Sequence, residues 1–205
     1  NSNDSPQAVL SVDADATAVS EADSVAEYGT VEEFPSRSFF GEALVGYYRS
    51  SFIGPSIPRF DYVPIAFRVG YRPWEDRGYI ASRMSVMLEA TADPITKSFG
   101  NYLTGASLML RYDACPSWTI CPYFQVGTGF VLTDAWRDQK QMAIGEEFEF
   151  LQQVEFGVRW KLRECLSVEA EYGLQHTSNA GFARRNGGAN DLGVSIGLRW
   201  TFGGR

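Results

Sequence analysis

The chain contains a single histidine, and it stands two residues before a serine in the run His176-Thr177-Ser178. An imidazole beside a hydroxyl is the pairing that makes serine a nucleophile, because the ring takes the hydroxyl proton as the oxygen attacks a carbonyl. In extended chain, residues two apart project from one face about 6–7 Å apart at Cα, from a rise near 3.3 Å per residue. The ring can therefore reach the hydroxyl. A polar, glycine-rich stretch follows, with Asn179, Gly181, Asn186, Gly187, Gly188 and Asn190. Arg184 and Arg185 lie inside it and suit phosphate groups, although a solvated loop explains them equally well. The three cysteines, Cys115, Cys121 and Cys165, form no CxxC pair and have one histidine to join them, which argues against zinc.

The elements that must carry these residues are strands. With 44% hydrophobic and 14% aromatic residues and 20 Gly, the composition favours strands and turns over long helices. The length of 205 residues suits one folded domain. From residue 40 onward eight segments alternate, roughly 41–51, 60–72, 79–91, 102–113, 121–132, 150–162, 165–177 and 191–202. In the sixth, Val154, Phe156, Val158, Trp160 and Leu162 share one face, against Gln153, Glu155, Arg159 and Lys161 on the other. The seventh sets Leu166, Val168, Tyr172 and Leu174 against Ser167, Glu169, Glu171 and Gln175. In the second, Ile65, Phe67 and Val69 oppose Arg68, and in the third Val86 and Leu88 oppose Glu89. Period two holds throughout.

A soluble barrel turns its oily face inward and a membrane barrel turns it outward, so alternation alone does not choose between them. Two features favour the membrane. Connections near 74–78, 115–121 and 163–164 read as short, while those at 52–60, 92–101, 133–149 and 178–190 read as long, as in barrels with short periplasmic turns. Trp74, Trp118, Trp160 and Trp200 all map to the short-turn end, as an interface girdle requires. No run of 18 apolar residues forms a membrane helix. The expected fold is all-β, an eight-stranded antiparallel transmembrane β-barrel over 37–205 preceded by an acidic extension over 1–36. Of the chain's 25 acids, eight lie in 1–36, where there is no Lys or Arg. The rest then holds 17 acids against 18 bases, so the acidity is that of a flexible tail and says little about the barrel's partner. An eight-stranded lumen has no room for a wide channel, so its Arg and Glu must pair and a pore is not expected. Cys115 and Cys121 flank a short turn on the oxidising side, which makes Cys115–Cys121 the expected disulfide; the alternative is that all three cysteines are ordinary small residues near turns. His176 and Ser178 share parity with Leu174 and so face the lipid, where a polar pair is costly and calls for a function.

The string His176-Thr177-Ser178-Asn179-Ala180-Gly181, followed by Asn186-Gly187-Gly188-Ala189-Asn190, resembles the signature of the PagL-type lipid A 3-O-deacylases, a family of outer-membrane barrels. The eight-strand layout and the near-terminal Phe202 are also similar. The resemblance covers about 40–205 and implies an outer-membrane hydrolase acting on an ester-linked acyl chain of lipid A in lipopolysaccharide. It needs no cofactor or metal and no nucleic acid. It further implies His176 as base, Ser178 as nucleophile, and Asn179, Gly181 and Asn186 as positioning or oxyanion residues. The third member of the family's triad is a Glu, and at the matching spacing this chain has Asn190. An Asn carbonyl can accept the imidazole N–H and fix its tautomer but cannot compensate the imidazolium charge. Asp191 is a substitute only if a bulge turns it outward, and Glu146, Glu147 and Glu149 are remote candidates. The competing expectation is a structural or binding barrel that kept the motif without turnover.

Overall fold

The computed structural model describes residues 39–50, 60–74 and 78–202. The acidic extension and residues 52–59 of the first long loop lie outside the described residues. The described residues form nine strands: β1 (Phe39–Ser50), β2 (Asp61–Tyr62), β3 (Ile65–Tyr71), β4 (Met84–Lys97), β5 (Tyr102–Asp113), β6 (Ile120–Thr133), β7 (Phe148–Arg163), β8 (Leu166–Ser178) and β9 (Ala189–Phe202). Both β2 and β3 pair with β1 and β4, so they form one stave interrupted at Val63-Pro64. Each remaining strand pairs antiparallel with its sequence neighbour, and β1–β9 pairing closes a barrel of eight staves.

The third stave corrects the sequence expectation. It spans Met84–Lys97 and not 79–91, and only 98–101 joins it to β5, whereas the link from β3 covers 72–83 and includes a 3-10 turn at Ala81–Arg83. Ala90, Ala92 and Pro94 occupy its outer face and mute the oily alternation. Pro94 has no N–H to give, but its carbonyl accepts from the Val63 N–H at 3.0 Å, so the ladder continues. The expected alternation of short and long links therefore fails at these two connections.

Inside and outside are inverted relative to a soluble protein. Phe67 and Leu88 are 61% and 66% exposed, while Arg68 and Glu89 beside them are each 3% exposed. This is the arrangement of a transmembrane barrel. Arg68 donates to Glu89 (2.6 Å), Glu171 (2.6 Å) and Glu155 (3.0 Å), and Arg111 to Glu42 (2.7 Å) and Glu169 (3.0 Å). Tyr123, Gln125 and Gln153 add hydrogen bonds to the same carboxylates, so the mid-barrel is filled with paired charge. Aromatic rings complete the filling where glycines leave room: a Cβ on Gly70 or Gly157 would lie 2.0 Å or 2.2 Å from the rings of Phe40 and Tyr123. At the end opposite Trp118, Trp160 and Trp200, Tyr48, Phe60, Tyr62, Phe99 and Ile144 form a buried apolar plug against which Trp136 packs. The base of the 134–147 loop is tied to the β4–β5 turn by Asp134, which accepts from the Asn101 N–H (2.7 Å) and side-chain amide (2.6 Å). Burial pushes the Asp134 carboxyl upward, but these N–H donors prevail and hold it below the usual carboxylate range.

The thiols correct a second expectation. Cys115, Cys121 and Cys165 are all free, so the Cys115–Cys121 bond is not formed. The strand's alternation commits Cys121 to the buried lumen face of β6, and its thiol donates to the Pro122 carbonyl at 3.5 Å, whereas Cys115 sits half-buried in the turn after β5.

Candidate active site

The site grows from the pairing of the last two strands. In the β8–β9 register His176 stands opposite Asn190, and both side chains are half-buried on the outer face of the barrel. Asn190 Oδ1 lies 2.7 Å from His176 Nδ1. A carbonyl oxygen only accepts, so Nδ1 carries the proton and donates. That leaves Nε2 as the acceptor for the Ser178 hydroxyl, 3.1 Å away. Hydroxyl, imidazole and amide thus form a continuous chain in the tautomer that a general base requires.

The other candidates are placed by the 179–188 loop. Ala180 (φ 53°) and Gly181 (φ 89°) take left-handed conformations that turn the chain sharply after Ser178. Asn179 is fully buried and holds this turn. Its Oδ1 accepts from the N–H groups of Gly181 (3.1 Å) and Ala183 (3.5 Å), its Nδ2 donates to the Arg185 carbonyl (2.9 Å), and its own N–H donates to Asn186 Oδ1 (3.0 Å). Asn186 itself is exposed. Gly188 (φ 69°) lies against the imidazole, where a Cβ would come 3.1 Å from His176 Cε1.

Arg185 is engaged by a second loop. Its guanidinium donates to the carbonyls of Trp136 (2.6 Å), Asp138 (2.9 Å) and Gln141 (3.3 Å). Arg184 is exposed. Asp191 faces the lumen and is fully buried, as its parity requires. Glu149 also points inward, accepting from the N–H groups of Gly145 (2.9 Å) and Glu146 (3.1 Å).

Two neighbours escaped the sequence reading. Strand registers align Thr128, Gln152, His176 and Asn190 in one row across β6, β7, β8 and β9, all on the outer face. The available signal was parity: Gln152 and Thr128 interrupt oily faces that continue as Val154 and Val126. Below this row a groove of about 380 Å³ is lined by Val126, Thr128, Gln152, Val154, Leu174 and His176. Beside the serine, Phe150 stands opposite Ser178 and packs against Phe148 (5.3 Å between centroids) and Phe182 (6.0 Å), which gives the site an aromatic flank.

Comparison with known proteins bears on the fold and the family. No curated protein matches the chain by sequence. Two solved outer-membrane barrels share the fold with a TM-score of 0.58 each. The outer membrane enzyme PagL is 14% identical, with 77% of this chain and 97% of that chain covered. Neisserial surface protein A is 13% identical, with 81% and 97% covered. The family profile described as lipid A 3-O-deacylase (PagL) matches residues 62–199, a span that takes in all but the first stave and holds the whole His176–Asn190 site. This chain belongs to the lipid A 3-O-deacylase (PagL) family.

Proposed function

We propose that the protein is an outer-membrane esterase that removes an ester-linked acyl chain from lipid A by a serine mechanism. The observation that carries this reading is the Ser178–His176–Asn190 chain, with spacings of 3.1 Å and 2.7 Å, on the lipid-facing side of a membrane barrel. Ser178 attacks the ester carbonyl while His176 Nε2 takes its proton, His176 returns that proton to the leaving alcohol, and water activated by the same ring then hydrolyses the acyl-Ser178 ester to free the fatty acid and restore the hydroxyl. Asn190 keeps the ring in its Nδ1–H tautomer and orientation. The oxyanion is held at the 179–188 loop, which Asn179 and Gly181 shape and where the Asn186 amide supplies an N–H donor. The acyl chain lies in the groove beneath His176, with Gln152 and Thr128 hydrogen-bonding to polar groups near the ester. Arg184, outward on the same loop, meets a lipid A phosphate.

A second reading, a structural barrel of the family without turnover, is favoured by one feature: residue 190 is an amide and not a carboxylate. Mass spectrometry of lipid A from cells carrying the wild-type chain or Ser178→Ala separates the two. The esterase reading expects loss of one acyl chain with the wild-type chain and intact lipid A with the variant. Intact lipid A in both would leave the structural barrel.

A further inference from the structure

A guanidinium that donates to three backbone carbonyls of another loop is a fastener. Arg185 reaches from the 179–188 loop to Trp136, Asp138 and Gln141 of the 134–147 loop. The contact continues along the chain, because Gly187 N–H donates to the Met142 carbonyl (2.9 Å) and Gly188 N–H to the Ala143 carbonyl (3.0 Å). The receiving loop is itself held firm. Buried Gln141 bridges it, accepting from the Ile144 N–H (2.8 Å) and donating to the carbonyls of Ile144 (2.6 Å) and Ala135 (3.2 Å). Gly188, at the end of the stitched segment, forms the wall against the His176 ring and lies two residues before Asn190. Only arginine presents enough donors in a fixed planar fork to span three diverging carbonyls; an ammonium offers a point charge on a flexible stem.

We infer that Arg185 is a positioning residue of the site, a clasp between the two loops that holds Gly188 and Asn190 in place and so keeps the His176 imidazole in its working tautomer. The inference deepens the serine-esterase reading and rests on it for its kinetic part.

The test uses the refolded full chain in detergent micelles, as wild type, Arg185→Ala, Arg185→Lys and Lys140→Ala. Lys140 is exposed in the 134–147 loop, so its replacement removes a positive charge without touching the clasp. Because the chain has one histidine, ¹⁵N spectra of the imidazole report the His176 tautomer directly and without any substrate. Arg185→Ala is expected to convert the Nδ1–H tautomer to a mixture and to lower kcat on lipid A by ~10–100-fold, with KM within about threefold, since small misplacements of a reacting group cost about that much. Arg185→Lys should recover only part of each effect, and Lys140→Ala neither effect. A wild-type tautomer in Arg185→Ala, or a change confined to KM, overturns the clasp. If Arg185→Ala loses the heat-modifiable mobility of a closed barrel, Arg185→Lys decides by the same two readouts. Failure of the esterase reading appears separately, as absence of Ser178-dependent hydrolysis in the wild type, and leaves the tautomer measurement in force.

Discussion

At the scale of single residues, the chemistry turns on the difference between orienting a base and compensating its charge. Asn190 Oδ1 accepts a hydrogen bond from Nδ1–H, 2.7 Å away, which fixes the ring, yet it brings no negative charge to the imidazolium that forms as Ser178 attacks. Asn190→Ala should lower kcat by about tenfold or more by freeing the ring, and Asn190→Glu should raise it. Turnover of purified lipid A by the two variants checks both signs. A gain from Asp191→Ala with none from Asn190→Glu would reassign the third position, although Asp191 is turned into the lumen opposite Gln175. The pair His176 and Ser178 was legible because two residues of one strand share a face wherever the strand is placed. Gln152 and Thr128 were visible as polar interruptions, but their alignment with His176 was not.

At the scale of elements, every stave but β6 turns a charged residue into the paired lumen, and β6 contributes Tyr123 and Gln125. Arg68 on β3 is the node of the inner network, within 3.0 Å of carboxylates on β4, β7 and β8. Arg68→Met removes one cation from four buried acids, Glu42 at 3.6 Å being the fourth, and stranding buried charge in this way typically costs ~3–5 kcal/mol. The expected outcome is a urea unfolding midpoint in detergent lowered by ~1–5 M at the slopes usual for small proteins. An unchanged midpoint would mean that the lumen carboxylates need no cation. The third stave shows what alternation misses. Ala90, Ala92 and Pro94 do not look oily, yet a strand position beside neighbours on both sides is set by the ladder it completes and not by its own hydropathy.

At the scale of the whole molecule, a closed barrel with its apolar band outward should partition with outer membranes and migrate anomalously in gels when unheated. Recovery as a soluble monomer without detergent would contradict the fold's orientation. The same folded barrel protects its thiols unequally: Cys165 is exposed and Cys121 buried, so a maleimide should label Cys165 in native protein and Cys121 only after unfolding. The sequence by itself determined the fold class, the inward and outward face of most strands and the His176–Ser178 pair, because side-chain alternation is a local property of extended chain. It left five partners open for the imidazole, and only the tertiary structure shows which of them lies against the ring. Asn190 meets the ring because the β8–β9 register sets it opposite His176, while the same pleat turns Asp191 inward and the 134–147 loop keeps Glu149 on its own backbone. The meeting of Arg185 with the 134–147 loop was hidden in the sequence for the same reason. Register and loop contact join residues distant in sequence, and those distances are set by the closure of the whole barrel.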